Sequence, residues 1–302
     1  MKKTIRAAVL VATAIGASFS AGRAQPRPSP TPPAPAPRPA LRPLPVPVDP
    51  KLPSLFLIGA SDVRNGRGVG GSGLWGWGEP LAKYFDAAKI NVVNRAVGGL
   101  SGRTYQTMGY WEATLALMKP GDFLIVAFGV YDPSLINDAQ RPHGMLLGVG
   151  DETTEIDNVA TKQHEVVHTF GWYERKFITE SKARGVIPVL CSNVASKLWK
   201  DGKLIRVWAK TADLWDAAMA REAGLGYLPI DEIIARHYDV LGPKKVEALF
   251  GRGEIVHTNA DGADLNARCV VAALKALPED PFARYFSPGA DGIAPEPVAP
   301  TK

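Results

Sequence analysis

The sequence predicts an α/β fold, a three-layer α/β/α sandwich built on a five-stranded parallel sheet. Three observations predict it. Short apolar runs of strand length recur between residues 51 and 280, helical patterns fall between them, and turn-rich segments follow the first three runs. Strands that alternate with helices argue for parallel pairing, because each parallel crossover needs a long connection and leaves the sheet covered on both faces.

Residues 55–58 (LFLI) form a short, wholly apolar run, which is what a strand buried on both faces looks like. Residues 80–87 read as a helix and 91–93 as a second strand, and a helix is expected over 104–118. The turn Pro120-Gly121-Asp122 leads into a third strand at 123–128. A long helical pattern with apolar Val166, Val167, Phe170 and Phe177 precedes the fourth strand at 186–190. A helix around 209–223, a fifth strand at 225–230 and helices near 232–250 and 261–277 complete the domain, which is expected over 51–280.

Both ends have a different composition. Lys2, Lys3 and Arg6 precede an apolar run from Ala7 to about Ala21, and Gly22-Arg23-Ala24 puts small residues at the two positions a signal peptidase reads. Residues 1–24 are therefore expected to be a cleaved signal peptide, too short for a membrane span, of a secreted or periplasmic protein. No other stretch is long and apolar enough to span a bilayer. Nearly every second residue of 25–50 is Pro, which excludes helix and ladder and predicts an extended linker. The Pro/Gly/Ala-rich tail at 281–302 reads as disordered. The whole chain carries a formal charge of +5, but the basic residues of the signal and linker account for all of it and leave the domain near −1. That balance argues against nucleic-acid and anionic-lipid partners, and a monomer is expected. Cys191 and Cys269 have no metal-ligand neighbours, and their spacing fits a disulfide or two buried thiols equally.

In open parallel sheets ligands bind at the carboxyl ends of the strands. After the first strand comes Gly59-Ala60-Ser61-Asp62, and after the second Asn94 to Arg103, with Gly98-Gly99. Gly129-Val130-Tyr131-Asp132 follows the third strand, and Glu254-Ile255-Val256-His257 precedes the last helix. A serine, a glycine-rich turn and an acid three residues before a histidine supply a nucleophile, backbone donors for an oxyanion, and an oriented base.

The segments FLIG-x-S-x-VRNGRG (56–68), GWGEPLA (76–82), VVNRAVGG-x-S-x-R (92–103) and KPGDF (119–123) make the chain resemble the rhamnogalacturonan acetylesterase-like branch of the SGNH/GDSL hydrolases. GDETTEIDN, QHEVVHTFGWYERK and HTNADGADLNA carry the resemblance across about 53–277. It implies a flavodoxin-like SGNH fold and a serine esterase acting on acyl, above all acetyl, esters of plant cell-wall polysaccharide, without cofactor or metal. By the same resemblance Ser61 takes the nucleophile's place, His257 the base's and Glu254 the orienting acid's. Ser61 and Gly99 would supply oxyanion-hole N–H groups.

Five positions depart from the family pattern: Val130 stands for the family's His, Glu254 for its Asp, a change an orienting acid tolerates, and three more alter the surroundings of the serine. Ala60 replaces the acid before the serine, Asp62 follows it where the family has Thr, and Tyr131 stands where the family's Asn donates to the oxyanion. A weakened oxyanion hole is the implication, with a degenerate binder of acylated glycan as the alternative. An interaction module displayed on the Pro-rich stalk is a third possibility. Trp75 and Trp77 are candidates to stack on a sugar or to pack under the catalytic loop, the second being favoured. His164 and His168, four apart on an expected helix, lack a third metal ligand, and Gln163 and Glu165 read as solvent-face neighbours. Arg103 is expected to anchor the second loop.

Overall fold

The computed structural model describes residues 40–67, 69–207 and 211–298. In chain order its strands are β1 (Ser54–Gly59), β2 (Asn91–Asn94), β3 (Phe123–Ala127), β4 (Thr153–Asp157), β5 (His164–His168), β6 (Ile187–Cys191), β7 (Trp199–Lys200), β8 (Lys203–Leu204) and β9 (Gly226–Leu228). The α-helices are α1 (Gly102–Thr107), α2 (Tyr110–Leu115), α3 (Phe170–Ala183), α4 (Ala212–Ala223), α5 (Ile230–Leu241), α6 (Pro243–Glu247) and α7 (Ala260–Lys275). The main sheet is five-stranded and parallel, in the order β2-β1-β3-β6-β9. The chain steps from β1 outward to β2 and then back across β1 to β3, so the order reverses at the β1/β3 boundary, the place where open parallel sheets bind ligands at the carboxyl ends of their strands.

Strand periodicity sorts the core into two layers. Leu55, Leu57, Phe123, Ile125 and Val189 face α5 and α7. Phe56, Ile58, Leu124, Val126 and Leu190 face Tyr105, Trp111, Phe177 and Met219 of α1 to α4. With both faces covered, β1 has no exposed residue, which is why its sequence shows no polar alternation. Cys191 and Cys269 are buried as free thiols.

Several expected helices are shorter or divided. The one at 104–118 splits at Gly109, whose left-handed backbone (φ +92°) ends α1 and starts α2. That at 80–87 contracts to a 3₁₀ turn, Leu81–Tyr84. That at 232–250 divides at Gly242 (φ +76°), where Pro243 opens α6. The helical reading of 164–168 is overturned. His164–His168 pairs antiparallel with Thr153–Asp157, and the Thr169 hydroxyl accepts the Trp172 N–H to start α3 only at Phe170. Two adjacent β-branched valines favour the strand.

The tail is also corrected, since residues 281–298 fold onto the domain. Phe282 is fully buried, with its ring 4.5 Å from that of Phe123. Lys275 Nζ donates to the carbonyls of Ala290 (2.7 Å) and Ile293 (2.9 Å). A few aromatic anchors outweigh the Pro/Gly composition. At the other end, Arg95 donates to Pro45 O (2.7 Å), Asn91 Oδ1 accepts from Val48 and Asp49 N–H, and Leu41 and Leu44 pack on the second layer. The expected signal peptide and residues 25–39 of the linker lie outside the described residues.

Candidate active site

Ser61 follows β1 at the point where the strand order reverses. A tight turn holds it, with Val63 and Arg64 N–H both donating to Ala60 O. Gly59 allows that turn, because a Cβ there would lie 2.5 Å from Ala127 O and 2.6 Å from Val63 Cγ2. Gly98 also passes close, a Cβ on it meeting Ser61 Cβ at 3.2 Å. The Ser61 side is 8 % exposed.

Ser61 Oγ lies 2.8 Å from His257 Nε2, and His257 Nδ1 lies 2.7 Å from Glu254 Oε2. The carboxylate assigns the ring proton to Nδ1, leaving Nε2 to accept from the Ser61 hydroxyl. The turn carrying these residues closes through Glu254 N–H to Gly251 O and Gly251 N–H to His257 O. Trp75 N–H to Thr258 O (2.8 Å) and the Thr258 hydroxyl to Trp75 O (3.1 Å) fasten it to the loop after β1. The Glu254 carboxylate thus reaches the imidazole from within one hydrogen-bonded turn.

On the other side of the nucleophile, the Tyr131 hydroxyl lies 3.2 Å from Ser61 Oγ. The phenol therefore points into the site. Gly99 has a left-handed backbone (φ +85°), and its Cα side is open for at least 4 Å. The segment after Tyr131 returns His143 to within 5.7 Å of the Tyr131 ring, held by the Ser101 hydroxyl donating to His143 O.

Two buried carboxyls flank this arrangement. Burial pushes Asp62 up to about 6, an effect opposed by N–H bonds from its own backbone and Val63 and by His257. Its Oδ1 has no partner among the described residues. Asp132 accepts from Gly129 N–H (2.8 Å) and Gly102 N–H (3.0 Å). Burial pushes it also to about 6, and repulsion from Asp62 adds to the rise. By the resemblance Asp132 keeps the Asp of the family's His-Asn-Asp block, but its double acceptance is not readable from the sequence, because its partners are backbone groups whose approach depends on loop path.

Other candidates fall elsewhere. Trp77 is 1 % exposed and packs in the first core layer, so it is unable to stack on a sugar. Trp75 is half-buried beside the His257 turn. Arg103 anchors its loop through Ile136 O, Gly144 O and both carboxylate oxygens of Glu165, so Glu165 is not a solvent-face neighbour. His164 pairs with Asp157 and Glu155 on the hairpin, while His168 stacks on Trp172 at 3.8 Å. Among the described residues no three His, Cys, Asp or Glu are grouped to hold a metal ion, and no helix is long and apolar enough to cross a membrane. A cavity of about 750 Å³ lies at the β9 edge, lined by Asp213, Tyr227, Asp231 and Leu277 but by no residue of the Ser61 cluster.

No known family model matches the chain. Over 200 residues it is 28 % identical to a rhamnogalacturonan acetylesterase of Emericella nidulans, covering 66 % of this chain and 78 % of that one. It is 24 % identical over 206 residues to a probable rhamnogalacturonan acetylesterase, YesY of Bacillus subtilis, covering 67 % and 84 %. The uncharacterized esterase YxiM of Bacillus subtilis is 26 % identical over 226 residues, 74 % of this chain, which spans about half (52 %) of that protein. The crystal structure of YxiM shares the fold, with a TM-score of 0.58 at 23 % identity over 74 % of this chain and 56 % of that one. The fold is that of YxiM, and the sequence relatives are esterases, so fold and likeness together point to the class of carboxylic ester hydrolases. In sequence the chain is similar to rhamnogalacturonan acetylesterases.

Proposed function

We propose that this chain is an exported serine esterase that removes acyl groups, acetyl above all, from plant cell-wall polysaccharide. The observation that carries the reading is the continuous contact from Ser61 Oγ through His257 to Glu254. Acetylesterase relatives support the substrate class, and the residue pattern of 1–24 supports export.

In the reaction, His257 Nε2 takes the Ser61 proton as Oγ attacks the ester carbonyl, and Glu254 keeps the imidazole in the accepting tautomer and stabilises its charged form. The oxyanion rests on the Ser61 and Gly99 N–H groups, with the Tyr131 O–H as a third donor. Collapse passes the proton from His257 to the departing sugar oxygen and leaves an acyl-serine. Water, deprotonated by His257, then releases the acid and restores Ser61. A phenol in the amide's place makes this a weakened oxyanion hole, and losing one donor outright costs about 10²–10³ in turnover. The same contact favours the second reading, binding of acylated glycan without turnover, because a hydroxyl 3.2 Å from Oγ crowds the attacking atom.

Release of p-nitrophenol from p-nitrophenyl acetate, followed by acetate release from acetylated pectin and xylan, separates the two. Turnover that disappears in Ser61→Ala supports the esterase, and equal rates for the two proteins would sink it. Export predicts a mature amino terminus at Gln25.

A further inference from the structure

We infer that Asp132 is a positioning residue of this ester hydrolysis: its carboxylate clasps the two loops that carry Gly99 and Tyr131 and holds both oxyanion donors in register over Ser61. The inference rests on the esterase reading for its catalytic half and on geometry for the clasp.

One oxygen of Asp132 accepts the N–H of Gly102, three residues after Gly99, and the other accepts the N–H of Gly129, two residues before Tyr131. The Asp132 carbonyl in turn accepts the Met145 N–H, which fastens the segment bearing His143. A single residue therefore joins three backbone segments that converge on the nucleophile. The side is 2 % exposed, and no ion pair to it is present among the described residues. Among the described residues, acids act on it: Asp62 on the nucleophile turn, Glu174 on α3 and Asp216 on α4. Glu174 Oε1 is itself buried and unpartnered, and it approaches Gly102 as closely as Asp132 Oδ1 does, each 3.5 Å from the position of a Cβ there.

A carboxylate buried without a counter-ion opposes stability. An asparagine of the same shape would avoid the charge but can accept only one of the two N–H groups, since its amide nitrogen is a donor. Only the carboxylate satisfies both loops at once. Gly129 cannot yield, because a Cβ there would meet Asn193 Nδ2 at 2.4 Å and the loop is pressed against the end of β6. With one loop fixed, the clasp transmits that position to the other.

The test is Asp132→Asn in the full chain, read by amide hydrogen exchange over residues 98–104 and 127–132 and by steady-state kinetics on p-nitrophenyl acetate. The expected result is faster exchange in both segments together and kcat lower by about 10–100-fold, the scale of a small misplacement in an active site, with KM within about twofold. The thermal midpoint is not lowered. Exchange that changes in neither or only one segment overturns the clasp. Loosened loops with unchanged kcat, or a kcat loss that merely follows a lower thermal midpoint, overturns the positioning role. Absence of turnover in the wild-type protein would instead count against the esterase reading, and the exchange arm would still decide the clasp. Should Asp132→Asn not fold, the Gly102 and Gly129 amide protons of the wild-type chain can be followed by NMR through an acid titration. They are expected to shift together as their shared acceptor is protonated, and independent titration overturns the clasp.

Discussion

Asp62 sits immediately after the nucleophile, and replacing it with asparagine should stabilise the protein at neutral pH. Burial raises its carboxyl from an ordinary 3.8 to about 6. At about 1.4 kcal/mol per tenfold change in proton affinity, the ionised group costs the fold on the order of 3 kcal/mol. Because the folded-state value is raised, this cost is absent below about pH 4, grows between about 4 and 6, and is complete above that. Asp62→Asn removes the charge while keeping one acceptor for the N–H groups of residues 62 and 63, so a net gain of about 1–3 kcal/mol is expected at pH 7.5. At about 2–4 °C per kcal/mol for a chain of this size, the thermal midpoint should rise by roughly 2–12 °C. Urea unfolding at pH 7.5 and pH 4 measures the effect, with an unchanged denaturant slope as the check on two-state behaviour. A variant less stable than wild type at pH 7.5, or one that gains equally at pH 4, would refute the reasoning.

The same sign applies to the wild-type protein. Burial raises Asp132 and Asp213 to about 6 and Asp231 to about 8, so the unfolding midpoint should fall as pH rises from about 4 to 8, and a midpoint that climbs through that window would contradict the assignment. Glu254→Gln leaves an amide that no longer stabilises the charged imidazole, and kcat should drop by about 10²–10⁴ with little change in KM; a loss confined to KM would argue against the orienting role. Tyr131→Phe removes the hydroxyl beside Ser61 Oγ and should lower kcat by about 10²-fold, whereas a faster variant would identify the phenol as an obstruction.

The parts of the fold legible in the sequence are those in which one local pattern has one structural solution. Residues 55–58 and 123–128 are apolar throughout because both faces of β1 and β3 are covered. His-Glu-Val-Val-His fits either a strand or a helix turn over five residues, and pairing with Thr153–Asp157, remote in composition, decides it. Gly109 and Gly242 divide helices that periodicity alone carries through. The tail misleads because Pro and Gly dominate its composition while Phe282 and Tyr285 supply its anchorage. Ser61, Glu254 and His257 can be read from strand-end position and spacing, and in the fold Ser61 and Glu254 each lie within hydrogen-bond distance of His257. The inward reach of Tyr131 and the double acceptance by Asp132 depend on loop paths that residue spacing does not encode.

Whether Ser61 is an activated nucleophile is most directly measured by intact mass after treatment with a fluorophosphonate, which phosphonylates a serine only when a base and an oxyanion site are both in place. The account predicts one adduct per chain, located on Ser61, and none in Ser61→Ala or His257→Ala. An unlabelled wild-type protein, or an adduct that persists in Ser61→Ala, would contradict it.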